Sequence, residues 1–216
     1  MFVKRSAVFA VLVITLSAFT TGSASAQLVG TIKDVIEPAG STGKIDWTTG
    51  VITAVGIGAP PAQPANAAQA RAMAERAAQV VAYRNLLESV KGVRVDSTTT
   101  VENFMVTSDV IRTEVSGIIQ GAMVMDKKYM SDGSVEVTVG MKLSGALADT
   151  LLPKGPATPP SITPPPAGTP AQLYTGLIVD ARGLGARPAM APKIMNEEGK
   201  EVYGSAWINR EYAVRE

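Results

Sequence analysis

Between residues 153 and 170 the chain reads PKGPATPPSITPPPAGTP, eight prolines in 18 residues. Each proline fixes φ and removes an amide donor, so neither a helix interior nor a central strand survives such a run. The composition favours polyproline II at about 3.1 Å per residue, a semi-rigid spacer of up to about 55 Å. The reading therefore sets a linker at 153–171 between two units, an α+β domain at 43–152 and a small β unit at 172–216. The PxxP spacing also fits a docking ligand for an aromatic groove, but the readers of such ligands are mainly intracellular signalling modules.

The opening of the chain argues for export. Lys4 and Arg5 precede an apolar stretch over 7–19, and Ala24-Ser25-Ala26 forms a small-residue cleavage site, so residues 1–26 read as a signal peptide and the mature chain starts at Gln27. About 13 apolar residues fall short of the roughly 20 that span a bilayer, and no later segment reads as a span. Residues 27–42 are left as an N-terminal extension. Losing Lys4 and Arg5 leaves 18 basic against 19 acidic residues. A balance so near neutral argues against nucleic acid, whose affinity rests on many Lys and Arg releasing counterions. The expected location is the periplasm or the outer membrane.

In the first unit, residues 51–57 alternate as a strand. After APPAQP, Asn66 caps a helix to about Val90, with Gly92 as a left-handed terminator. Its expected apolar stripe is Ala70, Met73, Ala74, Ala77, Val80, Val81, Leu87 and Val90, and its alanines suit close approach to a sheet. A short extended piece, Val93-Arg94-Val95, leads to Thr99 and Glu102, whose capping-box spacing opens one further helix ending at Gly121. Residues 123–130 and 135–143 read as a hairpin around Ser131-Asp132-Gly133-Ser134. There Val135, Val137, Val139, Met141 and Leu143 face the core. Ser144 caps a short last helix over 146–152. The order strand, helix, helix, hairpin, helix predicts a small antiparallel sheet with helices packed on one face.

The second unit reads as a strand at 177–181, a glycine turn, an extended stretch to Met195, a turn at 196–200 and a strand from Glu201. About 45 residues without a disulfide make a marginal core. Trp207, Ile208, Tyr212 and Val214 therefore read as candidate assembly contacts on a strand completed by another subunit, and the chain is expected to be a homo-oligomer.

The chain contains neither His nor Cys. That excludes a Ser-His-Asp triad, a thiolate nucleophile and the usual zinc sites. No cofactor, metal or catalytic residue is expected. Ser41 and Lys44 match S-x-x-K without its partner motifs. Gly183-Leu184-Gly185 follows a strand as a dinucleotide turn does, but Pro188 and Pro192 deny it the helix that would hold a pyrophosphate. Asp180 and Arg182 form a local pair or a carboxylate clamp. The acids Asp46, Glu75, Glu88, Asp96, Glu102, Asp109 and Glu114 are dispersed. A periplasmic carboxylate-based hydrolase or glycan-binding module, with Trp47 as a sugar platform, is the alternative function.

The runs GKIDWTTGVITAVGIG, NAAQARAMAERAAQVVAYRNLLESVKGVRVDSTTTVENF and MVMDKKYMSDGSVEVTVGMKL, in that order, resemble the twenty-kilodalton outer-membrane lipoprotein family of bacteria. That family includes flagellar assembly protein P and the N-terminal part of flagellar assembly protein T. The resemblance spans 43–152 and implies a non-enzymatic α+β envelope domain that builds surface or periplasmic assemblies. It implies envelope or flagellar proteins as partners. It transfers no catalytic residues, and the chain departs from it in lacking a lipidation Cys.

Overall fold

The computed structural model describes residues 34–152, 179–181, 183–204 and 214. Residues 1–26, read as a signal peptide, residues 153–171, read as a linker, and Arg182, Trp207, Ile208 and Tyr212 lie outside the described residues. The architecture is α+β, as the residue pattern predicts. Five antiparallel strands, β1 (Ile36–Ala39), β2 (Gly43–Asp46), β3 (Val51–Gly58), β4 (Met123–Tyr129) and β5 (Val135–Lys142), lie in the order β1-β2-β3-β5-β4. Ile52 pairs with Met141, Ala54 with Val139 and Gly56 with Val137. These pairs face one long helix, α1 (Ala67–Lys91), whose packing on β3 and β5 forms the centre of the core. Val135, Val137 and Val139 are fully buried and Met141 and Leu143 nearly so, the set the alternation picks out. β1 and β2 are additions, because the sequence reading places one strand, at 51–57, ahead of the long helix.

Asn66 caps α1, its side chain accepting from the Gln69 amide at 2.8 Å. Gly92 ends it in the right-handed region, φ −76°, not the expected left-handed one. The buried line of α1 is Ala74, Ala78, Ala82 and Leu86, four apart, while Met73 and Val80 are 48% and 54% exposed. The expected stripe is thus displaced around the helix. The cause lies on the strand. A Cβ on Gly56 would stand 2.2 Å from the Ala82 nitrogen, and one on Gly58 would stand 2.1 Å from the Ala74 carbonyl oxygen. Backbone meets backbone there, and only the alanine line of α1 permits that approach. Val80 on the same contact would hold the two elements apart.

The helix expected after Thr99 is two helices, α2 (Val101–Thr107) and α3 (Asp109–Gln120), broken at Ser108 (φ −143°, ψ 114°). Ser108 caps α3, its Oγ accepting from the Ile111 amide at 3.4 Å. The N-terminal capping contact sits one residue later than expected, with Asn103 Oδ1 accepting from the Thr100 amide and hydroxyl at 2.8 Å each. The last helix, α4 (Ala146–Leu151), starts from Gly145 at φ 73°, not from a Ser144 cap. Beyond it, β6 (Ile194–Met195) and β7 (Glu201–Tyr203) form a separate two-stranded sheet. Its turn is closed by the Asn196 amide donating to the Lys200 carbonyl at 2.9 Å, with Gly199 at φ 77°. Residues 179–181, expected at the end of a strand, are irregular.

Candidate functional site

The densest polar cluster forms around Glu37. On β1 its side chain lies on the core side, because Glu37 pairs with buried Ile45. A carboxylate there must be satisfied. Its Oε2 accepts from the Trp47 indole at 3.0 Å and from the Arg94 guanidinium. Arg187 Nε stands 3.8 Å from Oε1. Arg94 also lies over the Trp47 ring, 5.8 Å from its centroid. Burial opposes the charge on Glu37, but the hydrogen bonds from Arg94 and Trp47 and the charges of Arg94 and Arg187 outweigh it. Its pKa is lowered.

The cluster is also a junction. Arg94 Nε donates to the Pro188 carbonyl at 2.9 Å. The Met190 amide donates to the Arg94 carbonyl at 3.0 Å, and the Ala191 amide to the Val95 carbonyl at 2.8 Å. Residues 188–191 thereby lie along the extended backbone of 94–95. Ala191 is buried with Ala148 and Leu152 in a small apolar cluster that Met190 and Val214 border. Val214, expected on an unfinished strand, is helical, and its carbonyl accepts from the Gly145 amide at 2.6 Å. It therefore packs beside its own α4.

Sequence reasoning singled out neither Glu37 nor Arg187, and took Arg94 only as part of an extended piece. Glu37 gave no usable signal, because β1 has four residues, too few for alternation to mark one of them as core-facing.

Most of the dispersed acids have local work. Asp46 Oδ1 accepts from the Thr48 and Thr49 amides at 2.9 and 3.2 Å. Asp96 Oδ1 accepts from the Thr98 and Thr99 amides at 2.8 Å each, and Asp132 Oδ1 from the Ser134 amide and hydroxyl at 2.9 and 2.6 Å. The bonds from Thr49 and Ser134 hold Asp46 and Asp132 below the ordinary carboxyl value. Glu75 ties α1 to β4, accepting from Lys127 at 2.5 Å and from the Tyr129 hydroxyl at 3.1 Å, while Arg71 covers the Tyr129 ring at 5.3 Å. Asp109 pairs with Arg112 at 3.1 Å. Among the described residues, no three acids gather as a metal-binding group.

Ser41 is exposed in the β1–β2 turn, and Lys44 is exposed on β2. Gly183 and Gly185 adopt φ 80° and 67° in an exposed turn. Asp180 is exposed. A shallow cleft of about 220 Å³ opens between the ends of α3, β4 and α4, lined mainly by Ile118, Ala122, Met123, Met141 and Leu147 with Lys142 at its rim. No carboxylate lines it. No helix among the described residues is long and apolar enough to cross a membrane.

The sheet face turned away from α1 carries Val51, Thr53, Val55 and Ile57 of β3 beside Thr138 and Gly140 of β5. The Met125 thioether lies where a Cβ on Gly140 would be. Ile57 and Met125 are 55% and 56% exposed.

No curated protein and no solved structure matches the chain. Two family models do. Residues 176–216 match the second domain of Treponema pallidum Tp0624, and residues 47–142, from the end of β2 to the end of β5, match the LPP20 lipoprotein family.

Proposed function

We propose that the chain is an exported, non-catalytic protein of the cell envelope whose first domain builds an assembly and whose C-terminal unit adds contacts to it. The observation that carries this reading is the LPP20 lipoprotein match over 47–142, which covers β3, α1 and the β4–β5 hairpin together. The signal-like start supports export. The 216 residues hold no Cys, and the contacts proposed for the assembly are therefore protein contacts. Association around a flagellar basal structure is the finer part of the proposal and rests on the resemblance to the flagellar assembly proteins.

The internal duties of the acids favour this reading over the carboxylate hydrolase. Glu37, Asp46, Glu75 and Asp96 are each taken up by a turn or an ion pair, and the cleft near α4 has no carboxylate in its lining. Trp47 is engaged by Glu37 at its nitrogen and by Arg94 over its ring, which leaves it poorly placed as a sugar platform. The apolar outer face of the sheet is the natural contact surface. Light scattering on the mature protein at tens of micromolar tests this: a mass of several protomers is expected, and Ile57→Lys should lower it. A monomeric wild-type protein would overturn the assembly reading.

A further inference from the structure

We propose that the outward face of α1 is a peripheral docking surface for anionic lipid headgroups. The proposal rests on the cell-envelope reading above and names how the first domain meets a membrane there. Met73, Arg76, Val80, Arg84, Leu87 and Lys91 follow one another in steps of three or four residues. They therefore form a single row about 27 Å long on one side of the helix, with apolar and basic side chains alternating. The row lies opposite the line of Ala74, Ala78 and Ala82 that meets the sheet. Met73, Arg76, Val80 and Arg84 are exposed, and Leu87 and Lys91 are partly so.

The fold itself makes little use of this row. Gly56 and Gly58 admit only the alanine line, which leaves Met73 and Val80 outside the core. Among the described residues, none of Arg76, Arg84 and Lys91 is in an ion pair. Of the acids on α1, Glu75 is held by Lys127 and Tyr129, and Glu88, four residues beyond Arg84, borders the row. The row thus carries an excess of positive charge. Without Lys4 and Arg5 the chain has 18 basic against 19 acidic residues, so its attraction for an anionic surface has to come from local arrangement and not from net charge. Against a protein partner, three buried cations are costly unless each meets a carboxylate. A lipid surface brings mobile phosphates to each guanidinium and ammonium, while the stems of the basic side chains lie with Met73 and Val80 at headgroup level.

The test floats the full mature chain with vesicles of phosphatidylcholine containing phosphatidylglycerol, and with vesicles of phosphatidylcholine alone. Each is run at about 0.01 M and about 0.15 M salt, where the Debye length is about 30 Å and about 8 Å. Binding to the anionic vesicles is expected at low salt, weakening as salt rises. Arg76→Gln/Arg84→Gln should reduce it about tenfold or more, Met73→Ser/Val80→Ser should reduce it less, and Lys44→Gln, exposed on β2, should leave it unchanged. All three variants change exposed side chains, and thermal midpoints close to that of the wild type check that they fold. If the wild type ignores anionic vesicles at low salt, or if Arg76→Gln/Arg84→Gln floats as the wild type does, the proposal is overturned. A light-scattering mass of several protomers would then leave the assembly reading standing. If the arginine variant lowers that mass while the wild type binds no vesicle, the row is a protein contact and the lipid proposal falls.

Discussion

The contact of α1 with β3, the element just before it, and the contact at Arg94, whose partners are 57 and 94 residues away, are made from opposite materials. The first uses Gly56 and Gly58 against Ala74, Ala78 and Ala82, with no side-chain polar group at the point of closest approach. The second uses a carboxylate, a guanidinium, an indole and three bonds to main-chain carbonyls around a few buried apolar residues. Apolar contact is non-directional and grows with area, so the first is strong and insensitive to pH or salt. The second depends on charge state and on each partner being present. One contact makes the domain and the other is suited to opening.

The comparison breaks most readily at the core. Val137→Asp buries an unpaired charge opposite Gly56 and should cost about 4 kcal/mol or more, enough to unfold the domain. Thr138→Asp on the outer face should leave the thermal midpoint within a few degrees, and equal midpoints for the two would show that the strand faces are assigned wrongly. Next in size, Gly56→Ala puts a methyl onto the α1 backbone, and a loss of about 2–3 kcal/mol is expected from denaturant titration. A neutral result would remove the close approach as the reason for the alanine line.

Arg94→Ala sharpens the other side. It should release residues 188–191 without lowering the global midpoint, at a local cost of about 1.5–3 kcal/mol. Hydrogen exchange at the Met190 and Ala191 amides reads this out, and unchanged protection would leave the main-chain bonds as the whole of the contact. The pH response is milder. The folded pKa of Glu37 is lowered, so its contribution is fully present above its unfolded value, about 4.3, and is lost as pH falls through the folded value. Protection of Met190 and Ala191 should fade in that acid window before the core melts, and Glu37→Gln should abolish the pH dependence. The smallest effect belongs to Lys128, whose exposed pair with Glu136 at 3.0 Å is screened by solvent and salt. Lys128→Ala is expected to shift the thermal midpoint by no more than a few degrees, and a larger shift would place that pair in the load of the sheet.

Elements that rest on a short stretch of chain were readable in advance. The hairpin of β4 and β5, the Asn66 cap and the turn after Asn196 each depend on neighbouring residues. The break at Ser108 was also readable, because Ser followed by Asp is a helix start, but continuous helical spacing across it masked the signal. β1 was harder, since four residues ahead of a turn carry too little alternation to declare a strand. Of the junction, Trp47 and Arg94 were noticed as residues but not as partners.

By itself the sequence determined the α+β class, the strand alternation and the exclusion of thiol and imidazole chemistry, because each follows from residue type and from spacing within one element. Only the tertiary structure decided which face of α1 is inside. Apolar residues line that helix on opposite sides, Ala74, Ala78 and Ala82 on one and Met73 and Val80 on the other, so its own periodicity cannot choose. The choice is made by two glycines on a strand brought against it, and the pairing of Glu37 with Arg94, 57 residues apart, is settled in the same way. Which charge meets which, and which methyl fits, are properties of distances between elements, and those distances exist only once the sheet has closed on the helix.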